Sequence, residues 1–170
     1  NKKMQTNIPN IYAIGDVTNK ILLAHVASHQ GIIAVKNIMG KSTIVDYNIV
    51  PSAIFTAPAL AMVGVREKIA KEQGIDINVG KFPFGANGKA LIMGENRGFV
   101  KIIEDKTTGK IIGGAIIGPQ ATDLIAELAL AIKNSLSSKQ IVDTIHAHPT
   151  TAEAVFEAAL DLNGGALHFI

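Results

Sequence analysis

The sequence contains no cysteine and no tryptophan among its 170 residues. The absence of cysteine excludes disulfides, thiolate metal sites and cysteine nucleophiles within the chain, so any thiol chemistry must use sulfur from outside it. No apolar run approaches the length that spans a bilayer, and we therefore predict no membrane segment. The net charge is +2 with lysine and arginine spread along the chain, and the lack of a basic run argues against a nucleic-acid partner.

Apolar residues, by contrast, are abundant. They make up 48% of a chain that is long enough for one packed domain, or for a domain plus part of a neighbour. This excess predicts a large interface, and hence a homodimer. The chain begins at Asn1 without an initiator methionine and carries no secretory or transit signal. We therefore expect it to be part of a longer, cytoplasmic protein.

One stretch near the C-terminus, from His146 to Glu153, concentrates polar chemistry just before an apolar helical pattern over residues 154–162. Pro149 fixes its own φ and favours an extended conformation for the histidine before it, which places His148 on a stiff turn. Thr150 or Thr151 is the expected helix cap. A carboxylate in the first helical turn, as expected for Glu153, suits the positive end of the helix dipole.

This arrangement predicts a histidine general base oriented by a carboxylate, which takes one ring N–H and leaves the other nitrogen to accept a proton. Spacing alone leaves open a second interpretation, in which the stretch is a helix start whose polar groups are satisfied locally. A zinc site made by His146, His148 and Glu153 is disfavoured, because alternate residues of an extended segment point to opposite faces.

Near the N-terminus, residues 10–17 read as a short buried strand that ends in Gly15-Asp16. A carboxylate at that position predicts a contact from Asp16 to a ribose or ribityl hydroxyl, although Gly-Asp could also simply form a turn. A helix is predicted over 24–39, with its N-terminal N–H groups directed at whatever Asp16 binds. His25 and His29 lie four residues apart, but without a third ligand they predict no metal site.

The remaining chain predicts an α+β fold: an antiparallel β-sheet with helices packed on one face. We place a domain boundary in the polar stretch 41–50. Gly109 predicts a turn, and Gly113 with Gly114 predicts a bulge or a close backbone approach. The predicted strands cover 52–56, 60–65, 77–84, 89–93, 98–104 and 110–117, and the predicted helices cover 66–73, 121–135 and 140–145.

Four blocks together resemble the flavoprotein disulfide reductases. In chain order they are Asn10–Val17 (NIYAIGDV), Leu22–His25 (LLAH), Pro51–Thr56 (PSAIFT) followed by Val63-Gly64, and His146–Glu153 (HAHPTTAE). Their order and spacing cover nearly the whole chain. The resemblance implies that residues 1–46 are the short strand-helix tail of an FAD-binding domain and that 47–170 form the interface domain through which such enzymes dimerise.

The same resemblance implies the site residues. The catalytic pair would be His148, as base, and Glu153, as its partner, acting on the dithiol and flavin of the other subunit. Asp16 would contact the ribityl chain of FAD. The isoalloxazine edge would be met by Leu22, Leu23, Ala24 and His25, and no metal is implied.

The substrate that the resemblance implies is a dihydrolipoyl dithiol, with a lipoyl domain of a 2-oxo acid dehydrogenase complex as its carrier. Electrons would pass through a redox disulfide and FAD to NAD. The family's cysteine pair and dinucleotide fingerprint are missing from this sequence, so we expect the chain alone to be inactive and colourless. A glutathione-type reductase and a non-catalytic dimerisation module remain the alternatives.

Overall fold

The computed structural model describes residues 1–168. The chain divides into two compact units, Asn1–Asn48 and a second that begins at Ile49. Within the described residues, no helix is both long and apolar enough to cross a membrane.

The first unit is organised by helix α1, Ala24–Ile38, which the sequence predicted. Its buried side carries Val26, Gln30, Ile33 and Ala34. The small core of this unit consists of buried Met4, Ile33, Ala34 and Val45 with half-buried Tyr12 and Tyr47. Ala24, Val35 and Ile38 are exposed, although all three are apolar, while the polar Gln30 lies in the interior.

The predicted buried strand over residues 10–17 is also wrong. Residues Gly15–Thr18 form a 3-10 helix, and the side chain of Val17 is 80% exposed. A strand requires a neighbouring strand to pair with. Residues 10–17 make only one isolated β-bridge among the described residues of this unit, from Tyr12 to Gln5. Its backbone is satisfied locally instead, for example by the Ala13 N–H that donates to the Met4 carbonyl at 3.0 Å.

The second unit is built on a five-stranded, fully antiparallel sheet. The strands are β1 (Ser52–Ile54), β2 (Ala59–Gly64), β3 (Ile77–Pro83), β4 (Phe99–Asp105) and β5 (Lys110–Gly118). They lie side by side in the order β1-β2-β5-β4-β3. A register shift beside Ile103 and Glu104 marks the bulge that the paired glycines predicted. The Gly109 turn is confirmed, with φ of +66°.

Five α-helices accompany this sheet among the described residues: α2 (Glu67–Glu72), α3 (Gly88–Met93), α4 (Ala121–Lys133), α5 (Ser138–Val142) and α6 (Glu153–Asp161). Helix α3 replaces the strand predicted over 89–93. The Asn87 side chain accepts the Ala90 N–H at 2.9 Å as an N-cap, and Gly94 ends the helix at φ of +71°. Local capping and the helix-favouring Lys-Ala-Leu-Ile-Met run therefore outweigh the short apolar pattern.

Helices α4 and α6 pack on the same face of the sheet. Gly80, Ile102 and Gly114 lie side by side on β3, β4 and β5, and residues paired in this way face the same side. A methyl group built at Gly114 would lie 2.4 Å from Leu128 of α4. One built at Gly80 would lie 2.2 Å from the Ala158 carbonyl oxygen of α6. The predicted α+β fold is thus confirmed, with the two longest helices of this unit, α4 and α6, on one sheet face. The glycines have no side chains, so both helices approach the sheet closely.

The short helix α2 contacts the opposite face of the sheet. Lys101 alternates with the inward Ile102 along β4 and so points away from α4 and α6. Its Nζ lies 2.5 Å from Glu67 Oε1. This hydrogen bond, which outweighs the opposing effect of burial, lowers the pKa of Glu67 below its ordinary value.

Candidate functional site

The loop between α5 and α6 brings the predicted histidine into direct contact with its predicted carboxylate partner, the first residue of α6. His148 Nδ1 lies 2.8 Å from Glu153 Oε1. The histidine side chain is 78% exposed, whereas that of Glu153 is 25% exposed. The glutamate is therefore held against the protein while the imidazole is presented to groups outside the chain.

Glu153 is fixed through both of its carboxylate oxygens. Oε1 contacts His148, and Oε2 accepts the Thr150 backbone N–H at 2.8 Å. Burial by itself raises the pKa of Glu153, but the Thr150 N–H and the His148 ring outweigh it and bring the pKa below its ordinary value. An ionised carboxylate can only accept, so Nδ1 of His148 carries the proton. In the neutral ring, Nε2 then holds the lone pair.

The second histidine of the stretch is occupied on both sides of its ring. His146 Nδ1 lies 2.9 Å from the Thr144 carbonyl oxygen, and Nε2 lies 2.9 Å from Glu127 Oε1. Its side chain is only 8% exposed and packs against the Phe156 ring, with centroids 5.6 Å apart. His146 therefore anchors the loop to α4 and has no ring nitrogen available as a base.

Three further contacts hold the segment beside the pair, and none of them was predicted from the sequence. Asn87 Nδ2 donates to the Thr150 carbonyl at 3.1 Å. Thr151 Oγ1 lies 2.5 Å from Gln120 Oε1, and Glu127 bonds His146 from α4. The Asn87-Gly88 dipeptide was a recognisable capping signal, but no local pattern links Gln120 or Glu127 to this loop.

The predicted threonine cap on α6 is wrong. Ala152 occupies the N-cap position, and no side chain makes a capping hydrogen bond there. Both threonine hydroxyls are used elsewhere, because Thr150 Oγ1 donates to the Ala147 carbonyl at 2.7 Å and Thr151 bonds Gln120. Glu153 does lie in the first turn, as predicted.

Within the first unit, the predicted cofactor residues cluster where the chain enters α1. Asp16 is exposed within its 3-10 helix, and Leu22, Ala24 and His25 are exposed as well, whereas Leu23 is half-buried. The first turn of α1 contains no acidic residue and makes no side-chain capping bond. An exposed carboxylate beside an uncapped helix N-terminus suits a ligand with hydroxyl donors and an electron-rich ring edge.

No group of three or more histidine, aspartate or glutamate side chains that could hold a metal ion occurs within residues 1–168. The two histidines of α1, His25 and His29, are both exposed.

A family model for the dimerisation domain of pyridine nucleotide-disulphide oxidoreductases matches residues 50–159. The chain belongs to this family. A second model of the family, described as pyridine nucleotide-disulphide oxidoreductase, matches residues 1–31. The resemblance inferred from the four sequence blocks is therefore confirmed.

Relatives within the family are similar over nearly the whole chain. A dihydrolipoyl dehydrogenase of Chlamydia muridarum is 55% identical over 157 residues, which are 92% of this chain and 34% of that protein. One of Bacillus subtilis is 47% identical and covers 99% of this chain and 36% of its own length. The mitochondrial dihydrolipoyl dehydrogenase of Sus scrofa is also 47% identical, over 99% of this chain and 33% of its own.

The chain thus spans about a third of the length of these curated relatives. Solved structures give the same coverage. LpdA from Mycobacterium tuberculosis superimposes with a TM-score of 0.90 at 31% identity, over 95% of this chain and 36% of that one. The flavoprotein disulfide reductase RclA from Escherichia coli gives a TM-score of 0.86 at 28% identity, over 91% and 36%.

Proposed function

We propose that the chain is the C-terminal part of a dihydrolipoyl dehydrogenase and supplies the acid–base histidine and the dimer interface of that enzyme. The observation that carries this proposal is the exposed His148 ring in contact with a half-buried Glu153 that is held through both carboxylate oxygens. The sequence similarity to named dihydrolipoyl dehydrogenases supports the choice of activity. The contact between His148 and Glu153 supports the acid–base role.

The role proposed for His148 follows from thiol chemistry. A thiol attacks only as the thiolate, and a cysteine-like thiol has a reference pKa of about 8.5. A neutral imidazole can remove that proton near pH 7, and the carboxylate of Glu153 stabilises the imidazolium that results. The histidine can later return the proton to a leaving thiolate. Because this chain has no cysteine, the dithiol and the disulfide it serves must come from elsewhere.

The first unit would contribute part of an FAD site. We assign the ribityl contact to Asp16 and the edge of the isoalloxazine ring to Leu22, Leu23, Ala24 and His25. FAD held by these residues would supply two-electron transfer between the dithiol and NAD. The uncapped N-terminus of α1 favours negative charge at that ring edge. In this proposal residues 1–46 are the tail of the FAD-binding domain, and the chain alone is colourless.

The second unit would form a homodimer, in which His148 serves the dithiol and flavin of the other subunit. Its similarity to a dimerisation domain supports this assembly. Exposed apolar side chains provide surface for it, because Phe55 is 84% exposed and Ile145 is 98% exposed. The proposed substrate is a dihydrolipoyl group on a lipoyl domain of a 2-oxo acid dehydrogenase complex, in the cytoplasm.

The decisive experiment replaces His148 with glutamine in the complete enzyme that carries this chain. Loss of a positioned base lowers rates by roughly 10²–10⁴-fold, so dihydrolipoamide oxidation should fall by at least about 100-fold while FAD stays bound. The matched control is His168→Gln. His168 also bonds a glutamate of α6, with Nδ1 2.5 Å from Glu157 Oε1, and its loss should leave turnover within a few-fold of wild type.

Unchanged turnover in His148→Gln would refute the role of this histidine. If His148→Gln and His168→Gln lose the same amount of turnover, the cause would be a disturbance of α6 and not the loss of a base. A substrate panel completes the test, since faster reduction of glutathione disulfide than oxidation of dihydrolipoamide would overturn the proposed activity. Sedimentation that shows only monomer at micromolar concentration would contradict the proposed homodimer.

A further inference from the structure

A fully buried glutamine lies in the middle of α1. Gln30 is 0% exposed, and both ends of its amide are engaged. Oε1 accepts the Gly15 backbone N–H at 2.6 Å, and Nε2 donates to the Tyr47 hydroxyl oxygen at 2.9 Å. An amide buried this deeply is retained only where its hydrogen bonds are made, because an unpaired polar group in the interior is costly.

The residue that Gln30 holds is the immediate neighbour of Asp16. Gly15 has φ of +74°, a left-handed conformation that side chains other than glycine rarely adopt. The Thr18 hydroxyl donates to the Gly15 carbonyl at 2.8 Å. The peptide groups on both sides of the Gly15 Cα are therefore fixed, one by Gln30 and one by Thr18, and this determines where the Asp16 side chain leaves the backbone.

We infer that Gln30 is a positioning residue that sets the Asp16 carboxylate for the hydroxyl of a bound flavin nucleotide. This inference rests on the proposed function, which places FAD at Asp16. Gln30 touches neither flavin nor substrate in this role. It acts through the Gly15 N–H, and it makes the turn rigid before the ligand arrives, which reduces the entropy lost on binding.

Three variants of the complete enzyme separate positioning from simple packing. Gln30→Met keeps the length of the side chain and removes both hydrogen bonds. Gln30→Glu keeps an acceptor for the Gly15 N–H and can accept from the Tyr47 hydroxyl. Tyr47→Phe removes only the bond at the far end of the amide and leaves the link to Gly15 intact, so it is the matched control.

The measured quantity is the dissociation constant of FAD, followed by recovery of flavin fluorescence on release. Loss of one hydrogen bond of this kind corresponds to about a tenfold change, so Gln30→Met should weaken FAD binding about tenfold. Tyr47→Phe and Gln30→Glu should both stay within about threefold of wild type. Hydrogen–deuterium exchange of residues 14–18 should accelerate in Gln30→Met and remain slow in Tyr47→Phe.

Failure of the Gln30 role and failure of the proposed function give different results. If the wild-type enzyme binds no FAD, the proposed function fails whatever Gln30 does. If it binds FAD and Gln30→Met binds as tightly as Tyr47→Phe, the positioning role is overturned. Should Gln30→Met not fold, the wild-type apoprotein decides, because rapid exchange of the Gly15 amide before FAD is added would show that the turn is not held in advance.

Discussion

Replacing Gly80 with alanine should force α6 away from the sheet. The new Cβ would lie 2.2 Å from the Ala158 carbonyl oxygen and 2.7 Å from Leu162 Cγ. Carbon–oxygen contacts in proteins are normally about 3.3–3.6 Å, so β3 and α6 must separate by about 1 Å. A leucine tip can rotate aside, but the Ala158 oxygen belongs to the helix backbone, and the helix itself has to move.

Overpacking of this kind costs about 1–3 kcal/mol. A loss of 1 kcal/mol lowers Tm by about 2–4 °C in proteins of this size, so the expected fall is roughly 2–12 °C. The matched control is Gly88→Ala. Gly88 opens α3 and a Cβ there would have no atom within 4 Å, so this variant should be as stable as wild type or slightly more stable. Circular dichroism melts at one fixed protein concentration provide the comparison.

The same displacement should reach the site, because α6 begins with Glu153. A shift of about 1 Å would loosen the 2.8 Å contact between Glu153 and His148, and misplacement on this scale can cost up to about 100-fold in rate. In the complete enzyme we expect turnover to fall further than the folded fraction does. If Gly80→Ala melts at the same temperature as Gly88→Ala, the argument from close helix–sheet approach is refuted.

Three other substitutions test the site and the core. Leu128→Ala should lower the free energy of unfolding by about 2–5 kcal/mol, because Leu128 is 0% exposed; urea unfolding measures it, and a loss below 1 kcal/mol would contradict the packing described. Asn87→Ala removes the N-cap of α3 and the hydrogen bond to the Thr150 carbonyl. The free energy of unfolding should fall by about 1–2 kcal/mol, and turnover should be slower. Asn87→Asp keeps the cap acceptor and should recover part of the stability.

The third substitution, Glu153→Gln, tests pH dependence. The folded-state pKa of Glu153 lies below its ordinary value of 4.5, so its ionised form stabilises the fold above that pH, and the contribution is lost as the pH falls through the folded-state pKa. Glu153→Gln should therefore lose less stability than wild type as the pH falls below about 4.5. An identical pH profile for the two proteins would contradict the assignment.

Much of the second unit followed from local pattern. The turn at Gly109 and the alternating or apolar runs beside it specify β4 and β5, and the apolar stripe of α4 specifies which side it buries. The failures lie where two local preferences compete. The run 89–93 is apolar enough for a strand, but the Asn87 cap and Gly94 make it a helix. Residues 10–17 read as a strand although they form only one isolated bridge.

For the candidate site, local sequence predicted that a histidine and a glutamate five residues apart would meet across a proline turn at a helix start, since both lie on one short, stiff segment. It also determined that no thiol of this chain could react. It did not determine which histidine is available. That choice depends on Glu127 of α4, 19 residues before His146 along the chain, which occupies the His146 ring and leaves His148 exposed. Only tertiary packing brings those two residues together.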